Sequence, residues 1–244
     1  MKSFLEFFAV FTIAILPQIL SSAFSASNKE FLKRFTGKQR ILVNLSSFCG
    51  MILLAVYVAM SHLEGWAYIG LGFDKNSLPR IIIIAAAGTA YLFLIFVIAK
   101  FRSQKDRQKN EQRKNDVFEA GGWANLKSFG ERAAYLPTLW IGIVAEDMIF
   151  RGYLIFGLQT QTGLLLPWII LSMTLSILVH LYQGTGWRIL LGQGFFAIIF
   201  ISVSLLAQNI VAAIIPHLVY DTIWMLQGWA NLSKKEAQQS EPVS

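Results

Sequence analysis

Charge is scarce in this chain. Only 14% of its 244 residues are charged and 55% are apolar, where a typical soluble protein carries about 25% charged residues. A surface kept in water cannot be built from that stock, so an ordinary soluble domain is excluded. Cysteine is scarcer still. The single Cys49 rules out an intrachain disulfide, and its place in an apolar run reads as a buried structural thiol. Repeats and low-complexity segments are lacking as well.

The charges that are present are bunched, mostly at residues 28–40, 100–117 and 231–241. They flank apolar runs and do not interleave with aromatics on an exposed stripe. The net charge of +7 is therefore no nucleic-acid footprint. It sets membrane topology and attracts anionic lipid head groups.

A bilayer core takes about 20 apolar residues per helix. Seven stretches qualify: Phe4–Phe24, Ile41–His62, Ile81–Lys100, Leu136–Leu158, Leu164–Tyr182, Ile189–Leu206 and Ile210–Trp229. The last two are parted at Ala207-Gln208-Asn209, where Asn209 caps a new helix that Pro216 at most kinks. The first stretch has some look of a secretory signal, with Lys2 before it and small residues after. Its length, Glu6 near its start and Pro17 inside it favour a retained span.

Loop charges orient these spans. Residues 28–40 hold Lys29, Lys33, Arg34, Lys38 and Arg40 against Glu30 alone, and 100–117 are again basic. Residues 63–80 are sparse and nearly balanced, with Glu64, Asp74, Lys75 and Arg80. That alternation places the N-terminus outside and the C-terminus in the cytoplasm of a multi-pass protein, with a bacterial plasma membrane the expected location.

The expectation is an all-α polytopic membrane bundle of about seven transmembrane helices. Its parts are a three-span region (1–100), a basic cytoplasmic linker with an interfacial helix (101–135, the helix over 118–134), a four-span core (136–230) and a cytoplasmic tail (231–244). The tryptophans Trp140, Trp168, Trp187, Trp224 and Trp229 read as interface anchors or lipid-facing bulk. His62, at a span end, reads as interfacial and without a role.

The informative residues are polar groups inside apolar spans. Residues 146–151 read Glu-Asp-Met-Ile-Phe-Arg, although an ionised side chain at a helix centre costs about 2.5–3.5 kcal/mol on insertion scales. Asp147 and Arg151 are four apart and meet on one helix face, where they can neutralise each other. Glu146 is rotated about 100° away and is left without a partner on its own helix. The fifth stretch brings His180. The seventh brings His217 and Asp221, again four apart. A carboxylate that polarises water, imidazoles beside it and a donor for an oxyanion make a hydrolase set. The same groups could hold a divalent metal such as zinc. The bland readings are helix–helix hydrogen bonding and packing glue. Against them stands convergence: such groups fall on three of the last four spans and almost nowhere in the first three.

These residues resemble the CPBP family of intramembrane proteases, which comprises the CAAX prenyl proteases and the bacteriocin-processing (Abi) proteins. The family pattern is Glu-Glu-x-x-x-Arg, then Phe-x-x-x-His, then His-x-x-x-Asn or Asp, on successive membrane helices. Here the three parts are Glu146-Asp147-Met148-Ile149-Phe150-Arg151, Ser176-Ile177-Leu178-Val179-His180 and His217-Leu218-Val219-Tyr220-Asp221. The resemblance covers about 136–228. It implies an endopeptidase acting on a membrane-associated or prenylated protein or peptide. In it Glu146 would activate water, His180 would assist, and His217 with Asp221 would hold the substrate carbonyl or its oxyanion. Asp147 and Arg151 would give electrostatic support. The chemistry can be written with Glu and His alone, and zinc is the alternative.

Two departures stand out. Asp147 replaces the second Glu, and Ser176 replaces Phe, which removes an aromatic wall and bears on substrate choice. Two readings from other classes compete: a non-catalytic membrane immunity or scaffold protein with the same cavity, and a proton-coupled carrier, for which no inverted repeat is seen. Membrane lipids and a membrane-associated substrate are the expected partners, and nucleic acid is not.

Overall fold

The computed structural model describes residues 2–27, 36–74, 76–101, 111–112, 115, 117–118, 123–181 and 187–240, and every regular element among them is helical. Helix α1 runs through Lys2–Val10, a π-helical stretch Phe11–Ile15 and Leu16–Ser27; α2 is Gly37–Met60 and α3 is Ser77–Lys100. Helix α4 starts as Phe129–Asp147, widens into a π-helix over Met148–Gly157 and ends with Leu158–Thr162. Then follow α5 (Leu166–Leu178), α6 (Trp187–Ala207) and α7 (Val211–Ser240). Two 3₁₀ turns, Gly65–Ile69 and Trp123–Asn125, lie between these helices.

Four helices are long and apolar enough to cross a membrane among the described residues: Phe4–Phe24, Gly37–Met60, Ser77–Ile98 and Leu190–Ala207. The other three expected spans fall at helices too, but each departs from that standard for a visible reason. Helix α4 carries Glu131, Arg132, Glu146, Asp147 and Arg151. Helix α5 is apolar but only 13 residues long. Helix α7 is long enough at 30 residues, but Pro216, His217, Asp221 and Gln227 interrupt its apolar part. Its polar end absorbs most of the expected tail, since the helix continues to Ser240.

Local chemistry sets the boundaries. Thr36 and Gln39 form a capping box at α2, and Ser128 with Glu131 form another at α4. In the second box the Glu131 N–H donates to Ser128 Oγ at 3.1 Å, while the Ser128 and Lys127 amides donate to the Glu131 carboxylate. Those amides, Ser128 first, hold the Glu131 carboxyl below its usual range. The break between α6 and α7 lies where the sequence places it. Gln208 takes a positive φ of 52°, and Asn209 accepts the Val211 N–H at 2.9 Å and donates to Gly72 O at 2.8 Å.

Close packing around α4 comes from missing side chains. A Cβ on Gly142 would sit 2.6 Å from the Phe48 ring, and one on Gly152 would sit 2.8 Å from the Ile69 carbonyl oxygen. Hydrocarbon tails are as apolar as leucine, so helices in a bilayer associate through such close contacts and not through a hydrophobic drive. One core joins α1, α2, α4, α5 and the Gly65–Ile69 turn. A second joins α3, α6 and α7, and a third gathers Phe118, Trp123, Leu126, Tyr135 and Trp229.

That third core corrects several expectations. The described residues of 118–134 do not run as one helix. Phe118 and Leu126 are buried against α7, Trp123 sits in a 3₁₀ turn, and α4 begins only at Phe129. Trp229 is buried and does not face lipid, whereas Trp140 stays exposed while donating to Thr222 Oγ1 at 2.9 Å. Cys49, expected in the core, is exposed on α2. Most of the basic linker at 101–117, most charges of the 28–40 loop and residues 182–186 lie outside the described residues.

Candidate active site

Helix α4 supplies the centre of the site. Asp147 ends its α-helical part, and Arg151 falls in the π-helical stretch that follows. Such widened turns are frequent at functional sites. Here the stretch is held from α5, where Ser172 Oγ donates to Phe150 O at 2.7 Å.

The expected ion pair forms. Arg151 Nη1 lies 2.6 Å from Asp147 Oδ1, with Asp147 fully buried and Arg151 3% exposed. The second Asp147 oxygen faces α7, 3.1 Å from His217 Nδ1. His217 Nε2 lies 3.5 Å from Asp221 Oδ2. Phe200 of α6 closes the group from the side: its ring stacks on His217 at 4.4 Å, and the Arg151 guanidinium lies 5.4 Å from its centroid. A chain of charge thus runs Arg151–Asp147–His217–Asp221. Asp147 is more than the partner of Arg151, because it also orients His217.

Glu146 stands apart from that chain, as helical geometry requires. It is half-buried and lines a cavity of about 280 Å³ together with Arg151, Ser176, His180, His217 and Asp221. His180 lies just past the end of α5, its Nδ1 2.8 Å from Ser176 O. If Nδ1 carries the proton and donates there, Nε2 is left as an acceptor. The aromatic wall that Ser176 does not provide comes from other helices, since Phe48, Phe196 and Phe200 line the same cavity. Three helices therefore bring all four proposed catalytic residues to one space.

Among the described residues no three of His, Cys, Asp and Glu are grouped as metal ligands. Both ring nitrogens of His217 already face carboxylates. The residues do not fit a zinc site.

The first two helices contribute more than hydrophobicity. Gln18, Ser21 and Ser22 of α1, with Arg40 and Asn44 of α2, also line the cavity. Arg40 reads in sequence as a topology charge, yet it is 7% exposed in the cavity wall. Tyr135 completes that side, its hydroxyl accepting from Trp123 Nε1 at 2.7 Å and from Asn44 Nδ2 at 3.4 Å.

A second polar cluster lies away from this cavity. Glu6, an apparent interruption in the first span, is 2.8 Å from His62 Nε2 and accepts from Tyr68 OH at 3.2 Å and Gln161 Nε2 at 3.4 Å. Tyr68 stacks on His62 with ring centroids 3.7 Å apart. Burial, then the neighbouring Glu6, pushes the Tyr68 phenol well above its ordinary range. His62 is therefore not idle: it belongs to a cluster in which Glu6 and Tyr68 tie α1 and the segment after α2 to Gln161 at the far end of α4. Glu6 beside an apolar run is the sequence signal that marks such a tie.

Residues 129–223 match the family model described as "Rce1-like: Type II CAAX prenyl endopeptidase Rce1-like". No curated protein and no solved structure matches the chain.

Proposed function

We propose that this chain, whose residues 129–223 belong to the Rce1-like CAAX prenyl endopeptidase family, is an intramembrane endopeptidase of a membrane-associated or prenylated substrate. The observation that carries the reading is the meeting of Glu146, His180, His217 and Asp221 at one cavity. Family membership and the buried His217–Asp147 contact are consistent with it.

In this reading Glu146 takes a proton from a cavity water, which attacks the scissile carbonyl. His180, with Nδ1 on Ser176 O, accepts from the same water through Nε2, and the proton that Glu146 has taken passes to the leaving amine as the C–N bond breaks. Charge balance assigns the remaining groups. Arg151 neutralises Asp147, and a cationic His217 is matched by Asp221. The chain of four is then neutral without Glu146, which stays free for proton transfer. An imidazolium held between two carboxylates keeps its ring fixed, so a donor is in place when the oxyanion forms. Asp147 and Arg151 position His217 and do not touch the substrate.

The same reading takes α4, α5 and α7 as membrane passages, seven with the four long apolar helices. The N-terminus is outside and the C-terminus lies in the cytoplasm of a plasma membrane. The test is cleavage of a membrane-tethered reporter by purified protein in vesicles. Glu146→Ala and His180→Ala each remove turnover if the assignment is right; turnover retained in both overturns it.

A further inference from the structure

Hydroxyls on the apolar helices of this chain bond back to their own backbone. Thr89, Thr174 and Ser204 each donate to the carbonyl four residues earlier, at 2.8 Å. Ser172 departs from that habit. It is 1% exposed in the middle of α5, and its Oγ donates at 2.7 Å to Phe150 O of another helix, 22 positions away in sequence.

The backbone that receives this bond is unusual too. Phe150 lies in the π-helical stretch Met148–Gly157, which is ten residues long, whereas π-helix mostly occurs as a single turn. So rare a winding is kept by its neighbours. From the Gly65–Ile69 turn the support is steric: a Cβ on Gly152 would sit 2.8 Å from Ile69 O, and one on Gly157 would sit 2.9 Å from the Tyr68 ring. From α5 it is the Ser172 hydroxyl.

The position of the bond connects it to the chemistry. Phe150 comes four residues after Glu146 and directly before Arg151. Ser172, Ser176 and His180 follow at intervals of four and share one face of α5 and its end. Ser176 O in turn lies 2.8 Å from His180 Nδ1. The turn at 163–165 between α4 and α5 is short, so the two helices run antiparallel. Glu146 and His180 therefore lie on the same side of the Ser172–Phe150 bond, about 6 Å and about 12 Å along their helices, and both line the cavity.

We propose that Ser172 is a positioning residue: its bond to Phe150 O fixes the π-helical stretch of α4 against α5 and so sets Glu146 and His180 on one water. This rests on the peptidase reading and adds what holds its two water-activating groups in register. A slip of α4 along α5 shifts one of them against the other, and a misplacement of about 1 Å costs about 100-fold in rate.

The experiment uses the full chain in phosphatidylcholine vesicles with the membrane-tethered reporter. Ser172→Ala is expected to lower kcat by about 10–100-fold and to leave KM unchanged. Ser172→Thr keeps the hydroxyl and restores kcat. Ser172→Cys, close in size but with a weaker S–H donor, falls between the two and stands in should the threonine methyl crowd the site. Thr174→Val, which removes a hydroxyl of the same helix bonded within that helix, leaves kcat unchanged. Hydrogen exchange gives a second readout that does not depend on cleavage: amides of 148–157 exchange faster in Ser172→Ala and not in Thr174→Val.

Full kcat in Ser172→Ala overturns the proposal, as does an equal loss in Thr174→Val or a loss carried by KM alone. The failures of the two readings separate. Faster exchange at 148–157 without any cleavage by wild type sinks the peptidase and keeps the hold on α4; cleavage by wild type and Ser172→Ala alike does the reverse.

Discussion

Replacing Asp147 by Asn tests the division of labour at residues 146–151. Asp147 is fully buried, and its oxygens face two basic groups, Arg151 at 2.6 Å and His217 at 3.1 Å. Removing one partner of a buried ion pair leaves the other charge uncompensated and costs about 3–5 kcal/mol. The asparagine oxygen keeps one acceptor, which sets the expected loss near the lower end, about 3 kcal/mol. For a chain of this size that is about 6–12 °C in Tm. Thermal unfolding in detergent, followed by tryptophan fluorescence, reads it. Adding Arg151→Met to Asp147→Asn should recover most of the loss, because an uncharged pair at these positions leaves no guanidinium buried without its carboxylate. An unchanged Tm in Asp147→Asn, or a double variant no better than the single one, refutes the reasoning that this pair is structural.

Other substitutions probe the frame around the site. Gly152→Ala sets a methyl 2.8 Å from the Ile69 carbonyl oxygen; the overpacking of about 1–3 kcal/mol outweighs the helix-propensity gain of up to about 1 kcal/mol, and Tm falls. Glu6→Ala removes the common partner of His62, Tyr68 and Gln161; a loss of about 1–3 kcal/mol is expected, with faster proteolysis near the α1 end as the second readout. Glu131 has its carboxyl held low by backbone amides of the α4 cap. Its contribution is present above the unfolded carboxyl value of about 4.3 and disappears as pH falls through the lower folded one. Wild type should lose Tm over that acid interval relative to Glu131→Gln, and parallel curves would contradict the cap.

What could be read from sequence followed from spacing along one helix. Asp147 and Arg151, and His217 and Asp221, are each four apart, and both pairs face each other as that spacing requires. Asn209 announced the start of α7 through its capping chemistry. Contacts between distant segments had no such signal. Glu6 meets residues more than 50 positions away, and Asp147 reaches His217 across 70, so neither the second cluster nor the dual role of Asp147 shows in any period. Residues 118–134 have an amphipathic composition that fits a membrane surface. Met225, Trp229 and Leu232 of α7, with Tyr135 of α4, give their apolar side a protein partner instead, a contact between distant segments that no period signals. Arg40 shows the same limit: a basic residue near a span end usually marks topology, but here it lines the cavity.

The central claim is that Glu146 performs the chemistry while Asp147 and Arg151 hold the structure. It is tested most directly by Glu146→Gln, nearly isosteric at a half-buried cavity position, assayed for reporter cleavage and Tm on one preparation. Stability within about 0.5 kcal/mol of wild type, together with a fall in turnover of at least about 100-fold, is the predicted result. A stable Glu146→Gln protein that cleaves within about tenfold of wild type would contradict it.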